Sequence, residues 1–160
     1  MDKLTKRLLS APRDLLRAGP TEAAKDDLSW RLRILVVDDD EGCLTSVEAL
    51  LSLDGHSILT ARRGQEAVDF ARQMRKRNEA LDLSILDFNM PDWTGIETFE
   101  RLSLEFPGLK AVFMSGDPSE GLEAAVRRAG GRALVKKPLD LYRVRKVLGR
   151  LKEGDDFLVT

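Results

Sequence analysis

Several apolar runs in this sequence end in side chains that can coordinate a cation or act as a nucleophile. These side chains are Asp38 and Asp39 after RILVV, Asp87 after LDLSIL, Ser115 after LKAVFM and Lys137 after RALVK, with Asn89 in the loop beyond Asp87. A lone acid after an apolar run is more often a turn or helix cap than a reactive group. The meaning of the set therefore depends on whether the elements that carry these residues bring them together.

Those elements alternate between β-branched runs and amphipathic segments. The apolar runs predict strands over residues 33–37, 56–61, 81–86, 109–114 and 132–136. The periodicity of the segments between them predicts a first helix that Gly55 terminates, followed by helices over residues 64–76, 96–106, 119–129 and 141–151. Strand-then-helix units in strict alternation indicate an α/β fold with a parallel sheet. Right-handed crossovers favour a doubly wound five-stranded sheet of flavodoxin-like order 2-1-3-4-5, with helices on both faces.

This strand order would gather the polar side chains at one edge of the sheet. Strands one and three become neighbours, so Asp38 and Asp39 are expected beside Asp87. Clustered carboxylates repel one another unless a positive charge compensates, and Mg²⁺ prefers such oxygen ligands. A cation, the Lys137 ammonium and the Ser115 hydroxyl around one carboxylate are what phosphoryl transfer to an aspartate requires. Each residue alone has a structural explanation, but their common position favours a reactive site.

Three further residues would shape the site. Gly116 would leave space for a bulky phosphoryl donor, and Pro91 and Gly95 would shape the turn after Asp87. The Lys137–Pro138 bond is a candidate cis peptide that would direct the lysine inward.

Composition and charge exclude several classes of protein. The chain has 160 residues, 42% of them hydrophobic and 33% charged, which suits one soluble globular domain. A net charge of −1 offers no bulk attraction for nucleic acid or anionic membranes. The lone Cys43 and the lack of a membrane-spanning apolar run or signal peptide predict a cytoplasmic protein.

The chain divides by pattern into an N-terminal extension and linker over residues 1–29, a domain over residues 30–152 and a C-terminal tail over residues 153–160. Leucines and basic residues in the extension are spaced for a small amphipathic docking segment, although Pro12 interrupts any single helix. The alternative is a frayed tail without a role, which we favour.

Four sequence pieces together resemble the receiver domain of two-component response regulators. They are ILVVDDD over residues 34–40, LDFNMPDWTG over 86–95, FMSGD over 113–117 and VKKP over 135–138, in the family's order and spacing. The resemblance covers Arg33 to Leu151 and implies the following roles. Asp87 would be the phosphoacceptor, Ser115 and Lys137 would contact the phosphoryl group, and Mg²⁺ would be held by Asp38, Asp39, Asp87 and the backbone carbonyl of Asn89.

The resemblance also implies how the domain signals. A histidine kinase or phosphotransfer protein would donate the phosphoryl group, and the protein would assist its own phosphorylation and dephosphorylation without turning over an external substrate. An unidentified downstream protein would bind the face of the fourth helix, fifth strand and fifth helix. That face carries the following residues: Arg127, Arg128, Lys136, Tyr142, Arg143, Arg145 and Lys146. A solvated amphipathic surface explains these residues equally well.

One position departs from the family pattern. Leu134 stands where the family usually has an aromatic switch residue, and leucine cannot make the same rotamer change. Asn89 and Asp117 flank the site where the family tunes dephosphorylation. The sequence after Leu151 shows no DNA-binding output domain, so we expect a stand-alone receiver that acts as a monomer or weak homodimer, without nucleic-acid or membrane partners.

Two alternatives stay open from the residues alone. A haloacid-dehalogenase-like phosphatase would use Asp38 as nucleophile and Asp40 as acid, but the sequence lacks that family's flap and the role of Asp87 would be unexplained. A pseudo-receiver that is never phosphorylated is the second alternative. Leu134 favours it, and the complete set of acids, hydroxyl and lysine opposes it.

Overall fold

The computed structural model describes residues 30–154 and 157–160, which contain six strands and five helices. The strands are β1 (Arg33–Val37), β2 (Ser57–Ala61), β3 (Leu83–Asp87), β4 (Lys110–Ser115), β5 (Ala133–Lys136) and β6 (Leu158–Val159). The helices are α1 (Glu41–Leu53), α2 (Gly64–Lys76), α3 (Gly95–Glu105), α4 (Glu120–Arg128) and α5 (Leu141–Glu153). The proposed docking segment in residues 1–29 lies outside the described residues.

The strands form one parallel sheet of order β2-β1-β3-β4-β5-β6. The predicted flavodoxin-like order of the first five strands is confirmed. Two strands end one residue later than predicted, with Asp87 the last residue of β3 and Ser115 the last residue of β4, and β2 to β5 each begin one or two residues later than predicted. Both candidate site residues therefore lie on the sheet and not in the loops that follow it.

The sixth strand was not anticipated from the sequence, which indicated only a tail after residue 152. Leu158 and Val159 pair in parallel with Ala133 and Leu134 of β5. Thr160 extends the pairing, since its N–H donates to the Leu134 carbonyl at 3.1 Å and its carbonyl accepts from the Lys136 N–H at 2.7 Å. The outer edge of β5 is thus covered by the chain's own C-terminal segment.

Two apolar clusters, one on each face of the sheet, hold the strands in place. Ile34 and Val36 of β1 belong to one cluster, and Leu35 and Val37 belong to the other. Successive residues of a strand point to opposite faces, so a strand covered on both faces must be apolar at every position. This is why RILVV is a continuous apolar run.

Side chains just outside the helices satisfy their first N–H groups. The capping residues are Asp40 for α1, Thr94 for α3, Ser119 for α4 and Asp140 for α5. Asp40, rather than Asp38 or Asp39, therefore caps α1, which leaves those two carboxylates available for the site. None of the helices in the described part of the chain has the length and apolarity needed to cross a bilayer.

Gly131, two residues before β5, packs tightly against the core, and its replacement tests that packing. A Cβ on Gly131 would lie 2.5 Å from Val126 Cγ1 and 2.9 Å from Phe113 Cε2. We expect Gly131→Ala to lower the free energy of unfolding by about 1–3 kcal/mol through overpacking, measured by urea denaturation.

The matched control is Gly149→Ala in α5, where a new Cβ would meet nothing within 4 Å. This change should stabilise the protein by about 0.5–1 kcal/mol, because alanine favours the helix over glycine. Equal losses of stability in the two variants would contradict the proposed packing at Gly131.

Candidate functional site

The register of the sheet brings the predicted site residues together at the carboxyl ends of the strands. Val37 of β1 pairs with Leu86 of β3, so Asp38 and Asp87 follow at the next step on adjacent strands. Ser115 pairs with Lys136, and Lys137 follows immediately. The sequence-based expectation that Asp38 and Asp39 lie beside Asp87 is confirmed by their clustering.

Lys137 forms the central ion pairs of the site. Its Nζ lies 2.5 Å from Oδ2 of Asp38 and 3.1 Å from Oδ1 of Asp87. Burial lowers the pKa of the Lys137 ammonium, but the negative charge of Asp38 and Asp87, whose carboxylates accept from it, outweighs burial and raises the pKa above its ordinary value. The predicted cis bond between Lys137 and Pro138 is also confirmed.

Asp38 is the most deeply buried acid of the site, with 0% of its surface exposed. Its Oδ1 accepts the Asp40 N–H at 2.9 Å. Its buried Oδ2 receives no hydrogen bond of regular geometry from the described residues and has Lys137 as its close cation. A buried carboxylate oxygen with so few donors is well suited to a positively charged ligand.

Three carboxylates offer oxygens for a metal ion. Ligand atoms of Asp38, Asp39 and Asp87 lie within 4.8 Å of one another, and Asp39 is the exposed member. Burial, followed by the negative charge of Asp38, raises the pKa of the Asp87 carboxyl to about 6, although Lys137 opposes the shift. The oxygen donors and the excess negative charge fit Mg²⁺, which binds carboxylates in preference to nitrogen or sulfur ligands.

Ser115 places its hydroxyl at the same edge of the sheet. The side chain is 3% exposed, and Oγ accepts the Asp117 N–H at 3.2 Å. Its backbone carbonyl accepts the Lys137 N–H at 2.9 Å, which joins the ends of β4 and β5. A Cβ on the next residue, Gly116, would meet nothing within 4 Å, so a side chain at that position would have open space around it.

The loop after β3 ends close to the backbone of Asp87, the candidate phosphoacceptor. Gly95 donates its N–H to the Phe88 carbonyl at 3.0 Å, and a Cβ on Gly95 would lie 2.6 Å from the Asp87 carbonyl oxygen. Asn89 is exposed at the start of this loop. The glycine is required here because α3 begins directly against the backbone of Asp87.

Two contacts near the site were not identified from the sequence. Asp92 accepts hydrogen bonds from the N-terminus of α2, and the Cys43 thiol lies close to Asp38. Burial, with a hydrogen bond to Asp38, raises the pKa of Cys43 to about 12, so the thiol stays protonated at neutral pH. The sequence analysis singled out Cys43 only as a lone cysteine and included Asp92 only within the piece LDFNMPDWTG.

Leu134 is fully buried in β5, with 0% exposure. It packs in the apolar cluster that contains Phe99 and Phe113, whose rings meet edge to face at 6.0 Å. At this position the side chain contributes to the core, and its carbonyl accepts the Thr160 N–H.

Comparison with known proteins agrees with this geometry. Residues 34–149 match the family model described as the response regulator receiver domain. The probable transcriptional regulatory protein TcrX of Mycobacterium tuberculosis is 32% identical over 111 residues, which are 69% of this chain and 45% of that protein. The response regulator MprA of Mycobacterium avium is 33% identical over 129 residues, covering 78% of this chain and 54% of that protein.

The fold is shared with solved receiver domains as well. A CheY-like response regulator receiver domain protein from Methanospirillum hungatei superposes with a TM-score of 0.64 at 26% identity, covering 78% of this chain and 98% of that one. The present chain spans about half the length of the two mycobacterial relatives. The family match, the strand order and the acidic cluster show together that this chain belongs to the response regulator receiver domain family.

Proposed function

We propose that Asp87 accepts a phosphoryl group from a histidine kinase or phosphotransfer protein, in an Mg²⁺-dependent reaction that changes the contacts of the domain with other proteins. The observation that carries this proposal is the shared position of Asp87, Asp38 and Lys137. A nucleophilic carboxylate, a neighbouring acid and an ammonium group lie within ion-pair distance at the carboxyl edge of the sheet.

In the proposed reaction an oxygen of the Asp87 carboxylate attacks the phosphorus of a phosphohistidine. A new P–O bond forms while the P–N bond breaks, and the electron pair of that bond stays on the donor imidazole. With a pKa of about 6, Asp87 is mostly ionised at neutral pH and is available as the nucleophile. Asp87 is buried but keeps 6% exposure, whereas Asp38 has none.

Lys137 and Ser115 are suited to hold the transferred group. The Lys137 ammonium, 3.1 Å from Asp87 Oδ1, would neutralise charge on a phosphoryl oxygen. The Ser115 hydroxyl would donate a hydrogen bond to another phosphoryl oxygen. The backbone hydrogen bond from Lys137 to the Ser115 carbonyl fixes the spacing of these two groups.

The metal would be held by Asp38, Asp39, Asp87 and the backbone carbonyl of Asn89. Bound Mg²⁺ supplies positive charge that offsets the negative charge of the acids and of the phosphoryl group. Asp38 and Asp87 share the single positive charge of Lys137, so negative charge remains that a bound cation would offset, and Lys137 would then be able to contact the phosphoryl oxygens.

Two contacts oppose the phosphatase alternative. Asp38, its nucleophile, is fully buried and paired with Lys137, which leaves it poorly exposed for attack. Asp40, its acid, is used as the cap of α1, where its carboxylate accepts the Cys43 N–H at 3.0 Å. Asp87 is also buried and paired with Lys137, but it keeps 6% exposure and caps no helix among the described residues.

We further propose that the domain contacts a downstream protein through α4, β5 and α5. Tyr142 is 73% exposed on α5, and the Arg127 guanidinium lies 4.1 Å from the ring centroid of Phe157, next to β6. A downstream protein would meet this aromatic and basic surface in the cytoplasm. With Leu134 buried, backbone movement of β5 would carry the signal in place of an aromatic rotamer change.

Acetyl phosphate and Mg²⁺ provide a direct test of the phosphoacceptor. We expect the wild-type protein to gain one phosphoryl group by intact mass, and Asp87→Asn to gain none because the amide is not a nucleophile of this kind. Asp38→Asn should still be modified, at a reduced rate, since it retains Asp87. An adduct that persists in Asp87→Asn and is lost in Asp38→Asn would favour the phosphatase alternative.

The control for general loss of charge is Asp69→Asn on α2, where the carboxylate accepts from the exposed Gln65 side chain. This variant should be phosphorylated like the wild type. Absence of an adduct in every folded protein, with any donor, would favour the pseudo-receiver alternative.

Mg²⁺ affinity should depend on pH through Asp87. Below pH 6 the metal-free carboxyl takes up a proton that must leave when the metal binds. The apparent affinity is therefore expected to be constant above this pH and to weaken by up to about tenfold per pH unit below it. Calorimetric titration between pH 5 and 7.5 measures this (a range of about two units around the pKa), and Asp69→Asn should keep the dependence. Equal affinity at both ends of the range would contradict proton competition at Asp87.

A further inference from the structure

The N-terminus of α2 is capped from a distant loop. The preceding residue, Arg63, makes no side-chain capping hydrogen bond. Instead, Asp92 accepts the Gly64 N–H on Oδ1 at 3.2 Å and the Gln65 N–H on Oδ2 at 2.9 Å. The first N–H groups of a helix lack partners within it and carry partial positive charge, so a carboxylate there is stabilising. The cap of α2 therefore comes from the loop that follows Asp87.

That loop runs from residue 88 to residue 94 and is otherwise tied to the sheet near its ends. The Phe88 N–H donates to the Met114 carbonyl at 2.9 Å, and the Gly95 N–H returns to the Phe88 carbonyl. Within the described residues, the hydrogen bonds that Asp92 accepts from α2 hold the middle of the loop. They restrain the segment that contains Asn89.

Packing next to Asp92 supports the same attachment. The Trp93 ring lies so close to α2 that a Cβ on Gly64 would be 2.8 Å from ring atom Cε3. The Arg101 guanidinium of α3 lies 3.9 Å from the centroid of the same indole. Slight burial raises the pKa of Asp92, but the N–H groups of Gln65, Trp93 and Gly64 outweigh it and lower the pKa overall, so the cap is ionised at neutral pH.

We propose that Asp92 is a positioning residue for the metal, because its bonds to α2 hold the loop where the Asn89 carbonyl can face the cluster of Asp38, Asp39 and Asp87. The inference rests on the proposed function, in which that carbonyl is a ligand. A loop released from α2 would spend part of its time with the carbonyl away from the cluster. The apparent metal affinity falls in proportion to the fraction of molecules that are competent to bind.

The test is calorimetric Mg²⁺ titration of the full chain and three variants at pH 7.5 (chosen about one unit or more above the pKa of Asp87). Asp92→Ala removes both acceptors and should weaken Mg²⁺ binding by about three- to tenfold. Asp92→Asn retains one amide oxygen that can cap the helix, so its affinity should lie between those of wild type and Asp92→Ala. Ser119→Ala is the matched control, since it removes the cap of α4, a 3.2 Å bond to the Leu122 N–H, and leaves the loop after β3 intact.

A second measurement separates positioning from general destabilisation. Phosphorylation by acetyl phosphate is followed at increasing Mg²⁺ in each protein. For Asp92→Ala, the Mg²⁺ concentration at half-maximal rate should rise by the same factor as the dissociation constant, while the maximal rate stays within about twofold of wild type. Ser119→Ala should lose stability to a similar extent without any change in half-saturation.

Unchanged Mg²⁺ affinity in folded Asp92→Ala, with a wild type that binds the metal and is phosphorylated, overturns this inference alone. A wild type that binds no Mg²⁺ overturns the proposed function and this inference with it. If Asp92→Ala does not fold, the comparison of Asp92→Asn with Ser119→Ala decides, and equal affinities in those two variants overturn the role of Asp92.

Discussion

One lysine compensates two buried acids, and the rest of the site depends on this arrangement. Asp38 has lost its contact with water, and Asp87 nearly so, and both lie near Nζ of Lys137. Removing charges from water costs several kcal/mol per ion, a penalty that close pairing only partly returns. One ammonium group therefore does not neutralise the negative charge of the acids at the carboxyl end of the sheet. A divalent cation and a phosphoryl group, arriving together, would redistribute that charge.

The position of these charges follows from the packing of the sheet. Each central strand is covered by helices on both faces, and its alternate residues enter two separate apolar clusters. A shift of one residue in β1 would move Ile34 and Leu35 to the wrong faces. The register that keeps the apolar residues in place also sets Asp38 beside Asp87. The same strand register therefore determines both the stability of the core and the alignment of the site.

The sequence was sufficient to predict most of the fold and the grouping of the acids, because both depend on short-range patterns. Apolar runs ended at the candidate site residues, and the alternation of strands and helices restricted the possible strand orders. Asp92 could not be recognised in this way, since its partners Gly64 and Gln65 are distant in the chain and meet it only after folding. The same reason applies to β6. A segment as short as FLVT does not by itself predict a strand. It forms one here because the edge of β5 is available for pairing.

The covered edge of β5 also bears on self-association. The core of β5 is apolar, with Ala133, Leu134 and Val135 all buried, and an uncovered strand of this kind is a template for pairing with other chains. The two residues of β6 replace that edge with a much shorter one. Proteins commonly shorten their terminal strands to prevent uncontrolled sheet extension and aggregation. At this end of the sheet, the pairing with residues 158–160 therefore limits the access of other chains to the backbone of β5.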